Sequence, residues 1–232
     1  MNSDVMVGFG GKQAWLAVRD GDPAEILAAL GLRDLGEVPW RDGIDLAHLT
    51  DDRVAVTPPL PGARGAGWVL AAGRYLMRPG TVLDLTDLSG RLHTEVQFFA
   101  THRVTEAHRW QRADDGALVR AFGYVGRTGA VTTWYGDPDP AERAAGLPPT
   151  FRAPGLPLDE AGGGPLDEAM LGSLDEELTR LLRGEAVGGN AEGSTVLVSE
   201  QDVLRVADGW SLDPTRLDGR EAPGPLRLGA AA

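Results

Sequence analysis

Apolar positions in this chain come in short clusters punctuated by Gly, Pro and Asp, so the first elements are read segment by segment. Trp15 to Val18 is an unbroken apolar run of strand length. Asp22-Pro23 then supplies an N-cap and a first-turn proline for a helix closing at Gly31. Arg53 to Thr57 and Gly67 to Ala71 are the next strands by their apolar and β-branched content. Between them, Pro58-Pro59-Leu60-Pro61-Gly62 lacks the donors for a central ladder and reads as a rigid connection, although it also has the PxxP form of a polyproline ligand. Leu83 to Leu92 predicts a short helix interrupted near Gly90.

After Leu92 two periods compete. Leu85, Leu88, Leu92, Val96, Phe99, Ala107 and Trp110 fit a helical stripe broken by Arg103. A period of two instead places His102, Val104, Glu106, His108 and Trp110 on one face of a strand. Abundant Val, Phe and Thr favour the strand, as does Asp115-Gly116, a hairpin turn signal followed by the β-rich run Leu118 to Val125. Arg127-Thr128-Gly129 then makes a second turn before Val131 to Tyr135. These segments predict an antiparallel meander.

From Asp137 to Gly193 the composition shifts to Pro, Gly, Ala and acid, and Pro157 to Ala161 recurs nearly unchanged as Pro165 to Ala169. This stretch is expected to be a mobile linker holding at most an amphipathic helix over Leu174 to Leu182. Ser199 and Asp202 form a capping-box pattern ahead of a helix from Val203 to Ala207, which Asp213-Pro214 keeps from continuing. The expected fold is α+β, an antiparallel meander sheet packed by an N-terminal and a C-terminal helix. Residues 1–149 form the main domain, 150–193 a Pro/Gly-rich acidic linker or insertion, 194–219 a C-terminal helix docking on the main domain, and 220–232 a frayed tail.

Composition narrows the chemistry. The 232 residues hold 32 glycines and 16 prolines, a content that calls for long loops, and no cysteine, which removes disulfides, thiolate catalysis and Cys-ligated metals. A net charge of -12 disfavours general nucleic-acid binding. Asp4 stands where a secretory leader carries positive charge, and no apolar run is long enough to span a bilayer, so the expectation is a cytoplasmic protein without a membrane segment.

The candidate chemistry lies in the meander. His102, Glu106 and His108 share one face of an extended strand, and imidazole with carboxylate is a common ligand set for divalent metals. Only Glu106 and His108 are close enough along a strand to share an ion, so a neighbouring element has to complete the shell. Alternatively His108 acts as a lone general base oriented by Glu106 or Asp114. The plainer reading, which we prefer, is a stripe of half-buried polar residues bonded to nearby arginines. No Gly-x-Ser-x-Gly elbow occurs. Gly8-Phe9-Gly10-Gly11-Lys12 only superficially matches a phosphate loop, since Gln13 stands where Ser or Thr would ligate magnesium.

Charge gives a different lead. Between Arg91 and Arg127 six arginines face four carboxylates in an otherwise acidic chain. Arg103, Arg109 and Arg120, with Phe122 and Tyr124, have the composition of a protein-binding hot spot, or else of arginines that pair with the chain's own acids. Gly67-Trp68, Leu88-Ser89, the run Glu95 to Val104, His108-Arg109-Trp110 and Trp210 to Pro214 together resemble a group of uncharacterised actinobacterial proteins. That resemblance implies a source class and no assigned activity. The functional expectation is therefore a non-catalytic protein-binding module of immunity or adaptor type, with an acidic protein partner and no cofactor. The alternative is a metal-dependent enzyme using Glu106 and His108, with His102 nearby. A small-molecule carrier with a pocket between sheet and helix is the third.

Overall fold

In a computed structural model of the chain, residues 4–77, 83–126, 130–149 and 198–231 are described. The elements are β1 (Ala14–Arg19), α1 (Pro23–Ala29), β2 (Arg33–Val38), α2 (Trp40–Leu49), β3 (Arg53–Val56), β4 (Leu60–Pro61) and β5 (Gly67–Ala72). They continue with α3 (Leu85–Leu92), β6 (Glu95–His102), β7 (Ala107–Asp114), β8 (Ala117–Val125) and β9 (Ala130–Tyr135), then α4 (Pro140–Ala144), α5 (Glu200–Trp210) and β10 (Leu226–Ala230). All strand pairs are antiparallel, in one open sheet of order β2-β10-β3-β5-β1-β6-β7-β8-β9, with β4 paired to β5 off this path. The expected α+β class and meander are both present.

Why the central strands are apolar throughout, instead of alternating, follows from their position. Helices cover both faces of the sheet, so each residue of β1 from Ala14 to Val18 is buried whichever way it points. One face carries Trp15, Trp68, Phe99, Trp110 and Phe122 against Trp40 and Ile44 of α2 and Val203, Val206 and Trp210 of α5. Trp15 stacks on Phe99 at 5.2 Å and Trp110 on Phe122 at 4.3 Å, an offset geometry that adds to the area buried. The other face packs Leu16, Val18, Val69, Val96 and Phe98 against Ile26 and Leu27 of α1 and Leu85 and Leu88 of α3.

Local signals behave as their chemistry dictates. Asp22 accepts from the Ala24 and Glu25 amides at the start of α1, and Ser199 with Asp202 completes a capping box on α5. The Asp115-Gly116 turn has both φ angles positive, as a tight two-residue hairpin requires.

Four expectations need correction. Residues 220–232 are not a frayed tail, because Leu226–Ala230 enters the sheet between β2 and β3 and buries Leu226, Leu228 and Ala230. The α3 helix runs through Gly90 without interruption, and the missing side chain instead lets the β7–β8 turn sit close: a Cβ there would stand 3.3 Å from the Gly116 Cα. The Pro-rich connection is ordered, but Leu60-Pro61 also forms the two-residue β4 against Trp68 and Gly67. Residues 33–49, left unassigned by pattern, form β2 and α2. The proposed helix over Leu174 to Leu182, the near-repeat, the whole 150–193 segment and the Arg127-Thr128-Gly129 turn lie outside the described residues.

Candidate functional site

A turn over residues 103–106 splits the single strand expected through Glu106 into β6 and β7. The hairpin register pairs Thr101 with His108 and His102 with Ala107. Since directly opposed residues share a face and neighbours along a strand do not, His102 and His108 sit on opposite faces of the sheet. Glu106 lies in the turn with φ 51°, exposed, and His102 Nδ1 is 3.0 Å from the Thr105 hydroxyl. The three sequence candidates therefore do not converge. Among the described residues no group of three or more His, Asp or Glu side chains is placed to hold a metal ion.

His108 has partners that spacing did not reveal. Its Nδ1 is 3.1 Å from the Thr101 hydroxyl, its ring stacks on Tyr124, and Thr101 Oγ1 lies 3.3 Å from Glu200 Oε2 at the start of α5. Burial pushes the His108 imidazole below its ordinary value, against the raising influence of the Glu200, Glu106 and Asp202 carboxylates. Burial would raise the Glu200 carboxyl, but hydrogen bonds from Arg103, the Lys12 amide and Thr101 outweigh it and hold it low. Arg103 grips Glu200 through Nε at 2.9 and 3.0 Å and Nη2 at 2.5 Å. Asp114, the other orienting candidate, is at the far end of β7 opposite Glu95. With Thr101 fully buried and His108 5% exposed, the cluster fastens α5 to the hairpin and presents no open nucleophile.

The arginine and aromatic candidates separate in the same way. Arg109 stands on the α3 face, its guanidinium 5.7 Å from the Phe98 ring. Arg120, Phe122 and Tyr124 face α4 and α5 and are almost wholly buried. Arg120 Nε donates to both oxygens of Glu142 at 2.8 and 3.1 Å, its Nη1 donates to the Tyr135 and Gly136 carbonyls, and it stacks over Trp134 at 4.4 Å. Glu142 also accepts from the Trp110 indole at 2.7 Å and closes a capping box with Asp139. Burial pushes the Glu142 carboxyl up and the Arg120 guanidinium down, each opposed by its partner's charge.

A second network lies under the end of α5. Arg64 makes a bidentate pair with Glu95 at 2.7 and 2.8 Å and donates to the Trp210 carbonyl, while Gln97 donates to Glu95. Burial would raise Glu95, yet Arg64, Gln97 and Arg112 together hold it below the usual range. The Trp210 indole donates to Asp139, which ties α5 to α4. Glu142, Glu95, Asp139 and Glu200 were missed by pattern because each is distant in sequence from the arginine or tryptophan it serves. The capping-box spacing Asp139 to Glu142 was the one signal that marked any of them.

In the loop from Gly8 to Lys12 four of the five amides have acceptors: Gly8 donates to Asp218, Phe9 to the Pro214 carbonyl, Gly10 to Gln13 and Lys12 to Glu200. Two of those acceptors are carboxylates, so the loop offers no phosphate cradle.

The last strand of the meander differs from the others in composition. β9 reads Ala-Val-Thr-Thr-Trp-Tyr, without a charge, and among the described residues no strand pairs along its outer edge. Its inner edge is fixed to β8 by five residue pairs, and Arg120 holds its end through the Tyr135 carbonyl and Trp134. No protein-family model, curated protein or solved structure matches the chain. Among the described residues no helix is long and apolar enough to cross a membrane.

Proposed function

We propose that the chain is a non-catalytic protein-binding module, and that its docking element is the outer edge of β9 instead of an arginine face. The carrying observation is that this edge is uncharged and is backed by the buried Arg120–Glu142 pair. Long uncharged edges recruit further strands, which is why edges left unused generally carry charge, bulges or covering elements. An extended segment of another protein adding as a further strand would gain main-chain hydrogen bonds along β9, with Tyr135 giving side-chain selectivity. A second copy of the chain is a poorer occupant, because two molecules of charge -12 repel. Of the arginines that motivated an acidic partner, Arg103 and Arg120 are engaged with Glu200 and Glu142, and Arg109 lies against the Phe98 ring. The overall acidity instead favours a neutral or basic segment.

The test places a benzophenone amino acid at position 135 or, as a control, at position 35 on β2, and irradiates the chain in its native host. The expected result is one adduct polypeptide from position 135, whose rebinding to the purified unmodified chain is lost on Tyr135→Lys. Equal adducts from both positions, or self-adducts of the purified chain at comparable yield, would overturn the reading.

A further inference from the structure

On the α2 side of the molecule, a cleft of about 490 Å³ opens between the Val7 to Gln13 loop, α2 and the 3-10 turn Pro214–Leu217. Its size falls within the range of small-molecule sites. Val7, Phe9 and Ile44 supply apolar lining, and Gln13, 3% exposed, contributes a buried carboxamide. The hydrogen bonds of that carboxamide decide what the cleft offers. A backbone N–H can only donate, so the Gly10 amide at 3.2 Å identifies Gln13 Oε1 as the acceptor. Gln13 Nε2 is therefore the donor to His48 Nδ1 at 2.8 Å. With Nδ1 accepting, the neutral His48 ring carries its proton on Nε2, and a cleft residue is held as a hydrogen-bond donor.

Two carboxylates complete the lining. Asp45 is three residues before His48 on α2, and among the described residues it makes no ion pair. Asp218 uses Oδ1 for the Gly8 amide at 3.2 Å and has no further partner among the described residues. Neither Arg nor Lys is among the lining residues. The cleft thus combines an apolar wall, an imidazole N–H fixed by a buried amide, and two carboxylates that make no ion pair among the described residues.

We infer that this cleft binds a small organic cation, an amine or guanidine on an apolar stem, with Asp45 and Asp218 meeting the charge and His48 Nε2–H meeting an acceptor on the ligand. The site is separate from the β9 edge and does not depend on the docking role proposed for it.

The probe is phenethylamine, titrated into the isotopically labelled full chain while the amide resonances of Gly8, Gly11 and His48 are followed, with 2-phenylethanol as its neutral counterpart. Saturable shifts with the amine and none with the alcohol are expected. Asp45→Asn and Asp218→Asn should each weaken binding about tenfold, the loss of one charge-assisted hydrogen bond. Asp218→Asn keeps an oxygen for the Gly8 amide, and Asp45 is exposed, so both variants are expected to fold. Asp114→Asn, on an exposed carboxylate of the distant hairpin, should leave affinity unchanged. Equal shifts with the alcohol, unaltered affinity in both cleft variants, or an equal loss with Asp114→Asn would each overturn the inference.

Discussion

The two edges of the sheet are built on opposite plans. At one end β2 carries Arg33, Asp34 and Glu37 in six residues, most of them exposed, and its pairing with β10 is broken by a register shift between Arg227 and Gly229. Asp34 is further engaged by Arg227 at 2.6 Å, whose hydrogen bond holds the carboxyl below its ordinary value. At the other end β9 is uncharged, yet it is backed by the buried Arg120–Glu142 pair. The β8–β9 pairing has a register shift of its own, between Gly123 and Tyr124, so what separates the two edges is charge: it makes β2 a poor template for another strand, and β9 has none. Polar chemistry is therefore on the solvent side of one edge and on the core side of the other. An edge is protected in the first case and stiffened in the second.

That contrast can be broken most severely from beneath β9. Glu142→Ala leaves the Arg120 guanidinium buried without its counter-charge and also frees the Trp110 indole, so a loss of about 3–5 kcal/mol is expected in urea unfolding. Hydrogen exchange should then quicken along β8 and β9 while β2 and β10 keep their protection; uniform quickening would mean that the clamp serves the whole sheet. The matching lesion at the other end is Leu226→Ala, which removes a wholly buried side chain from β10 and should cost about 3 kcal/mol, with exchange rising first in β2.

A smaller effect is expected from acid. Because burial lowers the His108 pKa in the folded chain, the unfolded chain binds more protons just below its ordinary value of about 6.5. Stability should be complete above that pH and fall as pH drops through it. The carboxylates of Glu200, Glu106 and Asp202 facing the ring moderate the slope. In His108→Gln the urea midpoint should be flatter between about pH 7 and pH 5.5; an unchanged slope would remove His108 as its source. Smallest of all is the stability change in Tyr135→Lys, within about 0.5 kcal/mol, though this is the substitution expected to abolish docking at β9. Leu35→Lys on the charged edge should alter neither property.

The parts of the fold that were legible in sequence are those whose signals are local. Asp22-Pro23, Asp115-Gly116 and the Ser199/Asp202 box each announce a cap or turn through residues no more than three apart, and all three hold. β2 and β10 were not legible, because Arg-Asp-Leu-Gly-Glu-Val and Leu-Arg-Leu-Gly-Ala are too short and too mixed to reveal strands that depend on one another. The period-of-two reading gave the right element type for Glu95 to Asp114 but carried the strand through Glu106. Four residues of turn were enough to send His102 and His108 to opposite faces. The composition also showed an excess of arginine in the meander without showing that Glu142 and Glu200 answer it, 22 and 97 residues from Arg120 and Arg103.

The insertion of β10 between β2 and β3 sets the order in which the protein can be completed during synthesis. Until Leu226–Ala230 has left the ribosome, β2 lacks its sheet neighbour and one side of β3 stands open. The nascent chain must carry that gap through the production of nearly two hundred residues, with apolar side chains such as Val54 and Val56 waiting on a distant segment. A ribosome that stalls late on this message would release a molecule with a complete meander and an unfinished opposite half, a species suited to chaperone capture or aggregation.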